Sequence, residues 1–399
     1  MLTNLDVPGL DSLDLDGKRV LMRVDFNVPL DTSRPDEVRI SDDTRIRAAL
    51  PTIAAIFRAG GRPVLMSHLG RPKGQVVEGL RLNPIALRLA ELSGHQVIKL
   101  DAVVGPEVEA SVAAAPADTI VLLENVRFEA GETKGDPELA RAMARLGDCF
   151  VGDAFGAAHR DHASVCGPAR ILPAAAGLLL KRELKAFERV LKDPARPLVA
   201  ILGGAKVSDK LPVIESLLER CQFLLIGGGM AYTFLKARGE SVGTSLVQDD
   251  QLEAVRANMA RAEASGCQIL LPTDHIVAAS FAKDAEPQVV SEIPEGSMGL
   301  DIGPKTIAAY VQAIGVAGTV LWNGPMGVFE WEAFRNGTES VGRAVADCAG
   351  YTVVGGGDSV AAIELFGLGD SIDHVSTGGG ASLELLEGKD LPGVAVLRG

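Results

Sequence analysis

The sequence predicts an α/β protein of two doubly wound, Rossmann-like parallel-sheet domains joined by a helical hinge. Three observations predict it. Short, near-continuously apolar runs recur along the chain, as strands buried on both faces require. Helical patterns lie between most of them, and strand–helix alternation implies parallel sheets with right-handed crossovers. A charged helical stretch closed by two prolines then divides the 399 residues near the middle.

The first group of strand-like runs is RVLMRVDFNV from Arg19, PVLMSHLG from Pro63, HQVIKL from His95, TIVLLENVRF from Thr119 and CFVGDAF from Cys149. Helical patterns between them start at Thr44, Asn83 and Asp136. The second group is LVAILGG from Leu198, QFLLIGGG from Gln222, QILLPTDHIV from Gln268, TVLWNGPMGV from Thr319 and YTVVGGG from Tyr351. Its helical patterns start at Ser208, Gln251 and Glu339. KRELKAFERVLKDPARP, from Lys181 to Pro197, reads as the hinge helix, ended by Pro194 and Pro197. The expected domains are 1–182 and 183–384, with a tail of about 385–399 packing back on the first. DTSRPDEVRISDD, Asp31 to Asp43, reads as an exposed loop.

Composition narrows the function. Apolar residues make up 47% and charged residues 23%, which marks a soluble globular chain. No apolar stretch reaches membrane-spanning length, and MLTNLDVPGL lacks the basic and apolar regions of a secretory signal. The five cysteines include no Cys-x-x-Cys pair, so reduced thiols in the cytoplasm are expected. A net charge of -13 argues against nucleic acid or an anionic membrane as partner. Aromatics at 4% leave no stacking platform for single strands.

Against that negative background, two groups of residues suggest two anion sites. In the second half, Gly203-Gly204 ends a strand-like run, and Lys206 and Lys210 follow, four apart and on one face of any helix that begins there. Two lysines at a helix start oppose its dipole unless an anion lies between them. Gly355, Gly356 and Gly357 precede Asp358 and Ser359, an arrangement suited to phosphates on N–H groups and Mg2+ on the carboxylate, or to a capped glycine turn. Gly378, Gly379 and Gly380 open another helical run and invite an anion, or form a tight turn. Gly227 and Gly228, with Gly229, permit close strand–helix packing or leave space for a base.

In the first half, arginine and histidine stand where strand-like runs end: Arg23, His68, Arg71, Arg127, His159 and Arg160. Asp25 and Asn27, two apart, share a face of an extended segment and can hold hydroxyls or tie down a turn. Arg45 opens a helix, where a lone cation is disfavoured without an anion nearby. Other motifs fail on context. Neither the P-loop string nor G-x-G-x-x-G occurs. GESVG at Gly239 lacks a preceding strand, and His159-Arg160-Asp161 lacks the downstream Asn of a protein-kinase loop. His159, His162 and Cys166 lack a fourth metal ligand and have arginine beside them.

Taken in order, RVDFNVP, SHLGRPKG, LLENVRF, GDAFGAAHRDHAS, ILGGAKVSDK, GGGMAYTFL, LDIGPKT, WNGPMGVFE, VVGGGDS and STGGGASLELLEGKDLPGVAV resemble the blocks of the phosphoglycerate kinase family from about residue 20 to the end. The resemblance implies a monomeric, Mg2+-dependent glycolytic enzyme of the cytoplasm. It would move a phosphoryl group directly between 1,3-bisphosphoglycerate and ADP after domain closure, giving 3-phosphoglycerate and ATP. It implies that Asp25, Asn27, Arg45, His68, Leu69, Gly70, Arg71, Arg127 and Arg160 hold the phosphoglycerate. It gives the nucleotide Gly203, Gly204, Lys206, Lys210, Gly227, Gly228, Gly299, Asn323, Glu330 and Gly355 to Ser359, with Glu330 at the ribose and Asp358 at the magnesium. Arg45, Lys206, Lys210 and Gly378 to Gly380 would face the transferring group. Two departures stand out: the 31–43 loop looks longer than the family's, and Ala157 replaces a common threonine. The competing readings are weaker. A nicotinamide-dependent dehydrogenase lacks its glycine fingerprint, a non-catalytic anion receptor would carry an export signal, and an inactive relative would have lost charged positions.

Overall fold

The computed structural model describes residues 4–31 and 38–399. The middle of the expected 31–43 loop therefore lies outside the described residues. The chain divides into two units, Asn4–Lys185 with Asp390–Gly399, and Ala186–Lys389. The division falls inside one helix, Leu178–Leu191, three residues beyond the expected boundary after Arg182. The helix begins earlier than Lys181 because apolar Leu178, Leu179 and Leu180 extend its pattern. The chain end from Asp390, rather than from 385, belongs to the first unit. There Gly393 N–H donates to the Ala158 carbonyl at 2.8 Å.

Each unit holds a six-stranded sheet in which every neighbouring pair is parallel. In the first, the spatial order is Val97–Lys99, Ile120–Leu122, Arg62–Met66, Arg19–Arg23, Cys149–Gly152, Ala174–Ala176. Val20, Met22, Leu65, Leu122 and Val151 are buried from these strands and pack with Ile46, Ile53 and Ile56 of the helix Thr44–Arg58. That helix supplies a stripe at three- and four-residue spacing, which is why its sequence reads as amphipathic.

In the second unit the order is Gln268–Leu270, Phe223–Ile226, Leu198–Leu202, Thr319–Asn323, Tyr351–Gly355, His374–Val375. In chain order this is 3-2-1-4-5-6, the arrangement whose switch point lies between the first and fourth strands. Val199, Ile201, Val320, Trp322 and Val354 form its core with Tyr310 and Ile314 of the helix Pro304–Gly315.

Three local expectations are corrected. RVLMRVDFNV is a strand only over Arg19–Arg23, and Asp25 and Asn27 turn to different partners rather than sharing a strand face. QILLPTDHIV is two strands. Gln268–Leu270 joins the parallel sheet, and after Pro272, which has no N–H to pair, His275–Ala278 enters a separate antiparallel sheet with Gln288–Val290 and Met298–Ile302. The helix expected from Ser208 starts at Leu211, where Pro212 suits its first turn. Residues 207–210 form a turn closed by Lys210 N–H on the Val207 carbonyl, so Lys206 and Lys210 do not share a helix face.

Candidate functional site

Beyond the carboxyl ends of Leu198–Leu202 and Thr319–Asn323, at the switch point, lies a cavity of about 450 Å3. Gly203, Gly204, Lys206, Lys210, Asn323, Gly356, Gly357, Asp358, Ser359, Gly379 and Gly380 all line it. Three strand ends and the turn after Gly204 thus meet as the sequence suggested, although no helix carries the two lysines. Lys210 Nζ donates to the Asn323 side-chain Oδ1, and Asn323 Nδ2 is buried with no partner among the described residues. A buried amide left open beside a cationic cavity is the kind of group a ligand satisfies. Burial pulls the Lys210 amine down to about 8, with Asp358 and Asp209 opposing that shift.

Asp358 lies exposed in the first turn of the helix Gly357–Leu365, not at its cap. Ser359 Oγ accepts the Gly324 N–H at 2.5 Å and so ties this helix start to the neighbouring strand end. Among the described residues no group of three or more His, Cys, Asp or Glu could hold a metal ion. One open carboxylate beside a glycine- and lysine-lined cavity nevertheless fits Mg2+, which keeps several waters and binds through one or two carboxylates plus substrate phosphates.

Gly203 shows why glycine is required here. A Cβ on it would stand 2.0 Å from the Pro325 carbonyl oxygen and 2.7 Å from that of Gly324, both rigid backbone. Gly203→Ala is therefore expected to cost about 1–3 kcal/mol. Thermal unfolding should show it as a loss of about 2–4 °C per kcal/mol. Gly379 adopts φ +47, a conformation that side chains strain against, and stands at the start of Gly380–Leu386. Gly378 differs from its two neighbours: its N–H donates to Ser376 Oγ at 3.1 Å, and it does not line the cavity.

A second cavity of about 460 Å3 adjoins the first and shares Gly204, Ala205 and Asp358 with it. Gly228, Gly299 and Glu330 line it together with Tyr232, Leu246 and Phe281. Its apolar walls beside a polar cavity give the two ends of a trough for a molecule with a flat apolar part and an anionic chain. Gly227 lies outside it and serves packing, since a Cβ there would meet Met326 Sδ at 2.4 Å. Gly355 ends a strand and lines neither cavity.

In the first unit the predicted residues gather at the carboxyl ends of four adjacent strands. Arg45, second in its helix, donates to Asp25 Oδ2 at 2.9 Å. His68 Nδ1 lies 3.1 Å from the Arg23 guanidinium and 3.7 Å from Asp25. Asn27 Oδ1 accepts the Gly70 N–H at 2.8 Å, and Arg127 donates to the Gly70 carbonyl at 2.6 Å. Leu69 is buried and is fixed through its backbone by Asn125. Arg160 donates to His159 Nε2 at 3.1 Å, and Arg71 stands exposed after Gly70.

The electrostatics of this group favour an anion. Burial, reinforced by Arg160 and Arg23, pulls Arg127 down to about 10. Burial and the neighbouring arginines also hold His68 well below its ordinary range and His162 at about 4. Both imidazoles are therefore neutral at pH 7, and Arg23 donating to Nδ1 leaves the His68 proton on Nε2. Burial would raise the Asp25 carboxyl, but the cations around it, Arg45 and Arg23 among them, hold it below the usual range. Crowded cations that depress one another are relieved by a bound anion.

Sequence reasoning passed over the brace beneath this cluster. Ser164 Oγ donates to Glu132 at 2.6 Å and accepts from Arg23 Nε at 2.9 Å, and all three side chains are buried. Nothing in the string AGETKG marks Glu132, because its partner lies 32 residues away. The apolar walls Leu246 and Phe281 were missed for the same reason, since they sit in loops with no motif.

A doubly wound unit with a glycine-lined, lysine-bearing cavity at its switch point, and a second α/β unit with an arginine cluster at its strand ends, define a phosphotransferase of two substrates. A family model described as phosphoglycerate kinase matches residues 10–389, and the chain belongs to that family. It is 56% identical to the phosphoglycerate kinase of Moorella thermoacetica over 390 residues, covering 97% of this chain and 98% of that one. It is 54% identical to that of Synechococcus elongatus over 394 residues, 97% of each. The solved structure of phosphoglycerate kinase from Coxiella burnetii superposes with a TM-score of 0.88 at 41% identity, covering 98% of this chain and 99% of that one. The Pyrococcus horikoshii enzyme gives 0.83 at 31%, covering 98% of both.

Proposed function

We infer that the chain catalyses the reversible transfer of a phosphoryl group between 1,3-bisphosphoglycerate and ADP, with 3-phosphoglycerate and ATP as products, in glycolysis and gluconeogenesis. The observation that carries the reading is family membership across residues 10–389. In this reading the arginine cluster, with Asp25, Asn27 and His68, holds the phosphoglycerate. The trough holds the nucleotide, its base against Tyr232, Leu246 and Phe281, its ribose at Glu330 and its phosphates among Gly203, Gly204, Lys206, Lys210 and Gly356.

In the ATP-consuming direction the attacking group is a carboxylate, ionised at neutral pH with a reference pKa of roughly 3.5 to 4. No general base is needed, so the chain's residues supply alignment and positive charge. Arg45 orients the acid. Lys206, Lys210 and the backbone at Gly379 and Gly380 stabilise charge on the moving group. Asp358 would hold Mg2+, which when bound neutralises charge on the nucleotide phosphates.

Lys210 sets a pH dependence. With its amine at about 8, the free protein loses this charge above that pH, while bound phosphate favours the protonated form. Binding must then take up a proton, so ATP affinity should be level below pH 8 and fall by up to about tenfold per unit above it. Calorimetry in buffers of different ionisation heat would reveal that proton uptake, and a flat profile to pH 9.5 would remove Lys210 from the phosphate site.

Direct transfer demands that the two ligands meet, which also keeps water from the reactive anhydride. Small-angle scattering should show compaction with both ligands bound and not with either alone. The reading also takes the enzyme as a cytoplasmic monomer. Five free cysteines support a reducing compartment, and among the described residues no helix is long and apolar enough to cross a membrane. A coupled assay with ATP, Mg2+ and 3-phosphoglycerate tests the function. Turnover that stops on chelation is expected, and no turnover would reject the reading.

A further inference from the structure

Cys221 and Cys267 are 46 residues apart in sequence, yet their sulfurs lie 3.4 Å apart in the second unit. Each follows the end of a helix, Leu211–Leu218 and Leu252–Ser265 respectively. Each precedes one of two paired strands, and Phe223 faces Gln268 across that pair. The local backbone is held on both sides. Gln268 N–H donates to the Gln222 carbonyl at 2.9 Å, and Cys221 N–H and Cys267 N–H return to Leu217 and Ala262 at 2.9 Å each. A disulfide needs its sulfurs at about 2.05 Å, so closure asks the two sulfurs to approach from 3.4 Å, by side-chain rotation on a held backbone.

The two thiols are not equivalent. Both are buried, but only Cys267 opens onto a separate surface cavity of about 280 Å3, with Arg238, Met259, Ile269 and Leu271 around it. Neither of the two cavities of the nucleotide trough includes these residues. The thiol–thiol hydrogen bond holds Cys267 below the ordinary thiol range and pushes Cys221 up. The thiolate is the reactive form, and because the cavity reaches Cys267 and not Cys221, Cys267 is the sulfur placed to attack and Cys221 the one that resolves.

We propose that Cys221 and Cys267 form a thiol–disulfide exchange site that reacts with small disulfides entering through the cavity at Cys267. Cys267 loses its proton to solvent and attacks one sulfur of the reagent. The reagent's S–S bond breaks, a Cys267 mixed disulfide forms, and one reagent thiolate leaves and takes up a proton. Cys221 then loses its proton and attacks Cys267 Sγ, which forms the internal disulfide and releases the second reagent thiol. The protein gives up two electrons and two protons, and the reagent is reduced to two thiols. A small thiol in excess reverses the sequence.

The test uses the full native chain with oxidised glutathione, read by intact mass and peptide mapping. The wild-type chain is expected to lose two hydrogens, to yield a Cys221–Cys267 cross-linked peptide without a lasting glutathionyl group, and to recover both thiols with dithiothreitol. Cys221→Ser should retain one glutathionyl group on Cys267, and Cys267→Ser should take none on Cys221. Burial pushes the thiols of Cys149 and Cys166 up to about 11 and 12, so their persistence as free thiols reports that the chain stayed folded. Retention of both thiols in the wild type, a cross-link through another cysteine, or an adduct on Cys221 in Cys267→Ser would overturn the proposal.

Discussion

Arg45→Ala should lower kcat by about 100- to 1000-fold, the usual cost of removing one donor that meets charge developing in a transition state, while nucleotide affinity stays within a few-fold. Arg45 sits at the second position of the helix Thr44–Arg58, where the positive end of the helix makes a cation unfavourable unless an anion compensates it. In the free protein Asp25 supplies part of that compensation at 2.9 Å. The guanidinium is thus held before any ligand arrives, and its side chain is still 34% exposed. Removing it leaves Asp25 with Arg23 and His68 as neighbours, so the chain should remain folded. Arg45→Lys is expected to fall between the two, because it keeps the charge but loses the planar fork that grips two oxygens. A change in the thermal midpoint as large as the change in rate would indicate a structural role instead.

Lys210→Ala should weaken ATP binding by about 10- to 100-fold, the worth of one hydrogen bond to a charged group, and lower the rate further. Binding of 3-phosphoglycerate should be unchanged. Lys210 is half-buried, and its ammonium rests on Asn323 Oδ1, whose amide nitrogen has no partner among the described residues. Keeping a desolvated amine there costs the free protein stability, as its depressed titration shows. Bound phosphate would recover that cost, so on the proposed reading Lys210 is a stronger contact than a solvated lysine such as Lys206. Lys206→Ala should accordingly have the smaller effect on ATP affinity, and the reverse order would contradict the burial argument.

Much of this was legible because buried parallel strands write apolar runs that end where their ligands bind. Gly203-Gly204 and Asn323 close neighbouring strands at the switch point, so reading strand ends located the cavity before the strand order was known. His68, Arg127 and Arg160 follow the same rule in the first unit. What pattern could not supply was everything set by long-range contact. Pro272 divides one apolar run between two sheets, and the run's periodicity is the same on either side. The helix Pro106–Ala114 is so rich in alanine and valine that no polar face marks it. The spacing of Lys206 and Lys210 puts them on one face only if a helix begins there, whereas a turn brings both to the cavity. Gly378 looked equivalent to its neighbours until the Ser376 hydroxyl was found on its N–H.

The central claim is that one unit takes the phosphoglycerate and the other the nucleotide. Isothermal titration of Mg-ATP and of 3-phosphoglycerate, each alone, into the wild-type chain, Arg45→Ala and Lys210→Ala tests it most directly. Arg45→Ala should bind Mg-ATP as the wild type does, and Lys210→Ala should bind 3-phosphoglycerate as the wild type does. Loss of Mg-ATP binding in Arg45→Ala, or of 3-phosphoglycerate binding in Lys210→Ala, would contradict the division.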